Sequence, residues 1–383
     1  MASDSYIDCI ICGCSYDSSL SYCPKCGAVN NYVSVPTAPQ RNKNAFSKII
    51  TGVVVAVVAI VAVTILISPL LANLVIQHKD NPAITILQPA SQNPENAPHE
   101  ELVQQALGLI NKDRTELGLA PVELSSNQAA QALAEDIFKT KQISHWNTKG
   151  EKPYMSYTEY GGNGSMQQNV AIAGFNAEEY NQCLTNILVE CEKIEPVSTI
   201  DELQNEMMNN DEECCNDGHR NNILDPHHTH VSIGIMYDDY YFAFVENFEN
   251  NYGLNVDLEN SEIEISGTLL DGELDYVGIY YDEMPTREVY EQNKQLMSYT
   301  TGELVAMAVK PLPPGYYYKS LQGYNLIEAG RWDEEGDTVN VRFDLADAVD
   351  KDGTYTLFAV VKDGEDTFDV TSYSVFVNSE END

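Results

Sequence analysis

The spacing of apolar positions changes several times along the chain, and each change marks an element. Residues 49–67 read Ile-Ile-Thr-Gly-Val-Val-Val-Ala-Val-Val-Ala-Ile-Val-Ala-Val-Thr-Ile-Leu-Ile, without a charge. About twenty such residues, rising ~1.5 Å each, match the thickness of a bilayer's hydrocarbon layer. The run lacks the polar face of a core helix and starts too late for a secretory signal. It predicts one transmembrane helix over residues 49–76. Beyond Glu100 the period becomes helical, with Leu102, Ala106, Leu109 and Ile110 on one side. Ser125 and Ser126 precede a second helix at 127–141, whose apolar positions are Ala130, Leu133, Ala134 and Ile137. Residues 178–192 and 199–208 carry further helical patterns. Residues 231–235 and 240–246 alternate as strands across a turn at Asp238-Asp239. Helices followed by an antiparallel pair predict a sheet with helices packed on it. From Ser261 onward only short strand-like runs remain, near 263–265, 276–281, 303–309, 338–343, 355–361 and 373–377, separated by Gly, Pro and Asp. That pattern predicts an all-β, immunoglobulin-like sandwich.

The expected organisation is multidomain: a zinc ribbon at 1–30, a basic linker at 31–48, the transmembrane helix at 49–76, a stalk at 77–99, an α+β domain at 100–255 and the β-sandwich at 261–379. The ribbon rests on Cys9-Ile-Ile-Cys12 and Cys23-Pro-Lys-Cys26, separated by ten residues. Two such turns complete a tetrahedral zinc site, and the metal would supply the folding energy of so short a segment. Cys14 is a spare thiol or an alternative ligand. Arg41, Lys43 and Lys48 precede the apolar run. The positive-inside bias therefore places the N-terminus and ribbon in the cytosol and everything after about residue 77 outside. A formal net charge of -38 would repel phosphates, which excludes nucleic acid as a partner. The outer cysteines, Cys183, Cys191, Cys214 and Cys215, allow three pairings, and bonds from Cys214 or Cys215 to Cys183 or Cys191 are expected over a thiol nucleophile. In the β-sandwich, Asp333-Glu-Glu335 and Asp337 form an acidic cluster that could take calcium, although a spacer or adhesion module is the plainer reading.

Candidate chemistry concentrates between the second helix and the strand pair. Ile143-Ser-His-Trp146 holds one histidine and Gly218-His-Arg-Asn-Asn-Ile-Leu-Asp-Pro226 another, with the amide-rich Gln167-Gln-Asn-Val-Ala171 between them. Imidazoles from the outer segments and side chains from the middle one could converge on a single cleft. A second group, His227, His228 and His230, could bind metal from one strand face, but reads more simply as loop histidines. No Gly-x-Ser-x-Gly elbow or His-Glu-x-x-His helix occurs.

Over roughly Glu100 to Tyr252, these segments resemble the CAP superfamily (cysteine-rich secretory proteins, antigen 5 and pathogenesis-related proteins), in its prokaryotic, archaeal-looking SCP-like form. The resemblance implies a three-layer α-β-α sandwich. It also implies a cleft lined by two histidines and two acidic residues that often holds a divalent cation. His145 and His219 match the histidines. The first acidic position falls on Gln168, an amide that can coordinate or hydrogen-bond but cannot act as a general base. For the second, Glu206, Asp211 and Glu213 compete, with Asp211 favoured by spacing. The readings that follow are a membrane-anchored extracellular module whose cation-binding cleft meets a cell-surface protein, lipid or polymer ligand, and a metal-dependent hydrolase of envelope polymers using Asp211 or Glu206 as base. A third is a sensor coupling the outside to the ribbon.

Overall fold

A computed structural model describes residues 6–8, 15–17, 99–186, 188–269, 272–318 and 323–378. These fall into two units, Met1–Leu87 and Gln88–Asp383. In the first, β1 (Tyr6–Asp8) and β2 (Ser15–Asp17) form an antiparallel hairpin with Ile7 opposite Tyr16. Cys9, Cys12, Cys23 and Cys26 and the span at 49–76 lie outside the described residues, as does the side chain of Glu213. Among the described residues no helix is long and apolar enough to cross a membrane.

The second unit opens with α1 (His99–Glu116), which buries Leu102, Ala106 and Ile110 as the helical period requires. After β3 (Glu123–Leu124) comes α2 (Ala129–Thr140), whose inward face is Ala130, Leu133, Ala134 and Ile137. Short α3 (Pro153–Glu159) leads to β4 (Ser165–Gly174), followed by α4 (Ala177–Thr185), α5 (Pro196–Asn209), α6 (Glu212–Cys215) and α7 (Gly218–Ile223). Strands β5 (His230–Tyr237) and β6 (Tyr241–Asn250) close the domain. The sheet order is β3-β5-β6-β4. Along β6, Phe242, Phe244 and Phe248 pack against α1 and α5, while Tyr241, Ala243 and Val245 pack against α2. All ten residues of β6 are buried, as expected for a strand covered on both faces. The expected α-β-α layering is therefore present. Gly234 is needed beneath α2, because a Cβ there would lie 2.1 Å from the Ala130 carbonyl oxygen.

Two boundaries differ from the sequence pattern. Helix α4 ends at Thr185 instead of running to 192, and Cys183 is bonded to Cys191 with Cα atoms 5.7 Å apart. Residues eight apart in a helix would be ~12 Å apart, so the bridge and a continuing helix are incompatible. Strand β4 was not legible, because Gln167, Gln168 and Asn169 interrupt its apolar alternation.

The C-terminal region packs two sheets around one core. One sheet contains β7 (Leu254–Glu259), β8 (Glu262–Thr268), β12 (Arg331–Glu335) and β13 (Thr338–Asp344), in the order β12-β13-β8-β7. The other contains β9 (Glu273–Asp282), β10 (Glu303–Val309), β11 (Asn325–Glu328), β14 (Gly353–Asp363) and β15 (Asp366–Val377), in the order β11-β10-β9-β14-β15. This is the strand order of a nine-stranded immunoglobulin sandwich, except that β10 and β11 run parallel. The Tyr355 hydroxyl near the start of β14 accepts from the Asp350 and Lys351 amides and donates to the Lys351 carbonyl, forming the matching tyrosine corner. The acidic group at 333–337 does not converge. Alternation along β12 separates neighbouring side chains, Asp333 is bonded to Arg331, and Glu334 is bonded to Lys310.

The sandwich docks directly on the α-β-α domain. Asp282 accepts from the Lys152 Nζ and the Tyr154 hydroxyl, both at 2.6 Å. The Ser372 amide donates to the Gly164 carbonyl, and the Asn250 Nδ2 to the Asp369 carbonyl. Short α8 (Arg287–Asn293) starts beside Gly150, where φ is +93° and a Cβ would lie 2.1 Å from the Thr286 carbonyl oxygen.

Candidate functional site

His145 follows α2 in a loop anchored by buried Trp146. Its Nδ1 lies 3.0 Å from the Gln168 Oε1, and the Gln168 Nε2 donates to the Asn247 Oδ1 at 2.9 Å. The Gln168 amide is thus held at both ends, and its oxygen is directed at the imidazole. Burial pushes the His145 pKa down, opposed by the Gln168 bond, reinforced by nearby His219 and opposed again by a bond to the Met297 backbone. A neutral imidazole is the form that binds metal.

His219 begins α7. Its Nδ1 is 2.6 Å from the Asp211 Oδ1, and the Asp211 Oδ2 accepts from the His219 and Arg220 amides at 2.8 and 3.2 Å. Local sequence produces this return. Asn216 and Asp217 take left-handed conformations, φ 52° and 59°, which these two residue types tolerate better than most. The chain therefore doubles back and brings the α7 amides onto the buried Asp211 carboxylate. With both oxygens engaged, Asp211 orients His219 and leaves the Nε2 edge for the cleft. Asn169 ties the two halves together: its Nδ2 donates to the His219 carbonyl and to the Glu246 Oε2, each at 3.1 Å, and its Oδ1 accepts from Asn222.

His145, Gln168 and His219 line one cavity of about 350 Å³. Residues 107–248 match the Cysteine-rich secretory protein family. The chain therefore carries a CAP domain. A search of solved structures finds an extracellular protein containing an SCP domain from Bacillus anthracis str. Ames. It is 17% identical, with a TM-score of 0.27, and the match covers 40% of this chain and 41% of that one. No curated protein matches.

The CAP domain also corrects several expectations. Glu206 is exposed on α5 and accepts from Asn210, whereas that helix turns Ile200, Gln204, Met207 and Met208 inward. It is not a cleft residue. Cys214 and Cys215 bond to each other instead of to Cys183 or Cys191. Donor atoms of Asp211, Cys214, Cys215 and His219 lie within 4.8 Å of one another. With the sulfurs joined there are no thiolates in that group, and only the Asp211–His219 pair retains metal-type donors. The later histidines do not cluster. His227 is bonded to Asp225 and Asp366 and stacks on Phe368, while His230 contacts Thr229. His228 lies in the loop before β5 as expected, but it is buried instead of exposed, bonded to the Asn250 Oδ1, with burial lowering its pKa to about 4.

Sequence reasoning missed the share of the cleft supplied by the β-sandwich: Met297, Tyr299, Thr301, Phe358 and Asp369 line the same cavity. Desolvation pushes the Asp369 carboxyl up to about 6. Tyr299 lies 154 residues along the chain from His145 and 80 from His219, and no local pattern links them. Among the described residues, no Ser, Thr or Cys side chain is hydrogen-bonded to either cleft imidazole. The arrangement fixes two ring edges beside a polar cavity.

Proposed function

We propose that this protein displays its CAP domain outside the cell, and that the cleft holds a divalent cation through His145 and His219 for ligand or cell-surface binding. In this reading residues 49–76 are the single membrane anchor, and a cytosolic zinc ribbon uses Cys9, Cys12, Cys23 and Cys26. One observation carries the cation assignment: each cleft histidine has its Nδ1 engaged by a fixed side-chain oxygen, which is how ligating imidazoles are commonly oriented, and the cation would displace the Met297 backbone from the other nitrogen of His145. The donor chemistry suits zinc or a similar borderline ion. An outside location fits a secretory family and the two disulfides. The immunoglobulin-like sandwich would act as a rigid platform for the CAP domain.

Calorimetric zinc titration of the full chain in detergent, in parallel with His219→Ala, tests this. The parent is expected to bind one equivalent more than the variant, with the ribbon's zinc retained in both. Equal stoichiometry and affinity would remove the cleft from the list of cation sites.

The Asp211–His219 dyad also supports a second reading, a metal-dependent hydrolase of envelope polymers. Gln168→Glu would then restore an ionisable group beside His145 and raise metal-dependent turnover about tenfold or more. No rise with any divalent metal would count against hydrolysis.

A further inference from the structure

The β-sandwich contributes a segment, residues 294–302 between α8 and β10, that covers part of the cleft. The Tyr299 ring lies edge-on to His145 with centroids 5.1 Å apart, and 6.2 Å from the Tyr154 ring. The Tyr299 side chain is also hydrogen-bonded to the Gln168 backbone, and the Met297 backbone is bonded to the His145 imidazole. The segment is fastened at its far end. Lys152 donates to the Thr300 carbonyl at 2.7 Å while paired with Asp282. Gly302 presses on β9, where a Cβ would lie 2.1 Å from the Tyr281 carbonyl oxygen.

We infer that Tyr299 is the selectivity element of this cleft: it roofs His145, leaves access from the His219 side, and limits the ligand to a small molecule or hydrated ion, excluding protein and polysaccharide chains. The inference rests on the cleft being the ligand site in the first reading above, and it speaks against the hydrolase reading, whose polymer substrate would be shut out. An aromatic side chain covers on the order of 150–250 Å², comparable to one face of an imidazole and its surroundings. The remaining cavity of about 350 Å³ is at the small end of small-molecule sites. Its walls also select chemistry. Asn222 and His219 offer polar contacts from the CAP domain, and the Asp369 carboxyl faces the cavity from β15. A carboxyl in a poorly solvated wall is stabilised in its charged form by a cation. A small cation, or a small ligand bound to one, fits this lining better than an anion.

The test is residue-resolved labelling of histidines with diethyl pyrocarbonate in the full chain, read by mass spectrometry, for the parent, Tyr299→Ala and Tyr299→Phe. Tyr299→Ala is expected to speed His145 labelling about tenfold or more and leave His219 within about twofold, because only the local cover is lost. Tyr299→Phe keeps the ring and is expected to match the parent. Buried His228 reports the fold in the same spectra. If Tyr299→Ala exposes His228, Tyr299→Leu, which retains apolar volume, replaces it and should give an intermediate His145 rate. Unchanged His145 labelling in a folded variant overturns the inference.

A second arm reads ligand size. The cobalt-loaded parent, titrated with imidazole and with 1-benzylimidazole, should prefer the smaller ligand about tenfold or more, and Tyr299→Ala should lose that preference. Equal affinity for the two ligands in the parent also overturns the inference. The two proposals fail separately. Absence of metal binding with the labelling pattern as expected rejects the cation and keeps the roof. Metal binding with no labelling change keeps the cation and rejects the roof.

Discussion

Arg114→Ala is expected to destabilise the second unit by about 3–5 kcal/mol, the cost of leaving a buried polar network without its charged partner. Arg114 is completely buried near the end of α1. Its guanidinium donates to the carbonyls of Ala120, Ile223 and Asp225 at 2.8–2.9 Å and of His228 at 3.3 Å. Burial lowers its pKa and Asp225 raises it, but a guanidinium remains protonated in a protein. The alanine variant would leave these carbonyls without a donor and open a cavity beneath the end of α7. That segment follows His219 directly, so a looser cleft should accompany the loss of stability. Urea denaturation of parent and variant measures the first effect, and zinc titration the second. Arg114→Lys should fall between them, because a single ammonium cannot reproduce the planar fork. A loss below about 1 kcal/mol would place this residue among ordinary surface contacts and refute the assignment.

Glu246 should make stability fall as pH rises from about 4.5 to about 8. Its carboxyl is fully buried on β6, one oxygen accepts from the Asn169 Nδ2 and the other has no partner. Desolvation pushes its pKa up to about 8, opposed by the Asn169 bond and reinforced by Asp113. Below about 4.5 the group is protonated in both folded and unfolded states and contributes no pH dependence. Between the two values the folded state keeps a proton that the unfolded state has released. Each pH unit in that window therefore costs about 1.4 kcal/mol, and above about 8 the penalty is constant. The total amounts to several kcal/mol as an upper estimate. Glu246→Gln removes the titration. The variant's stability relative to the parent should rise steadily across the window, whatever constant offset its own amide hydrogen bonding adds. Parallel pH profiles for the two proteins would show that Glu246 titrates normally. Because Asn169 also holds the His219 carbonyl, ionisation of Glu246 is expected to loosen the cleft as well.

Much of the CAP domain was legible from one-dimensional patterns. The inward faces of α1 and α2 and the β5–β6 pair follow from the alternation of apolar residues, since burial on one face imposes a period. The two cleft histidines were legible too, through short segments whose local chemistry does not depend on the rest of the fold, whereas the roles of Gln168 and Asp211 were implied by the resemblance to the CAP superfamily. Spacing favoured Asp211 over Glu206 and Glu213 without deciding among them. The choice is made by the direction in which α5 presents each side chain and by the left-handed turn at Asn216 and Asp217 that folds α7 back onto the carboxylate. Strand β4 was hidden for a related reason: its polar residues are buried because they serve the cleft, which breaks the alternation that marks a strand. The vicinal Cys214–Cys215 bond depended on which sulfurs the fold brings together.

The sequence by itself determined the division of the second unit into an α+β part and a β part, and the two histidine segments that meet at the cavity, because periodicity and short motifs are local properties. Only the tertiary structure decided that the β part covers the cleft. Tyr299 meets His145 through the docking of two domains, held by pairs such as Lys152 with Asp282 and by the close approach at Gly150. Contacts between residues far apart in the chain depend on surface complementarity in three dimensions, which no local period encodes.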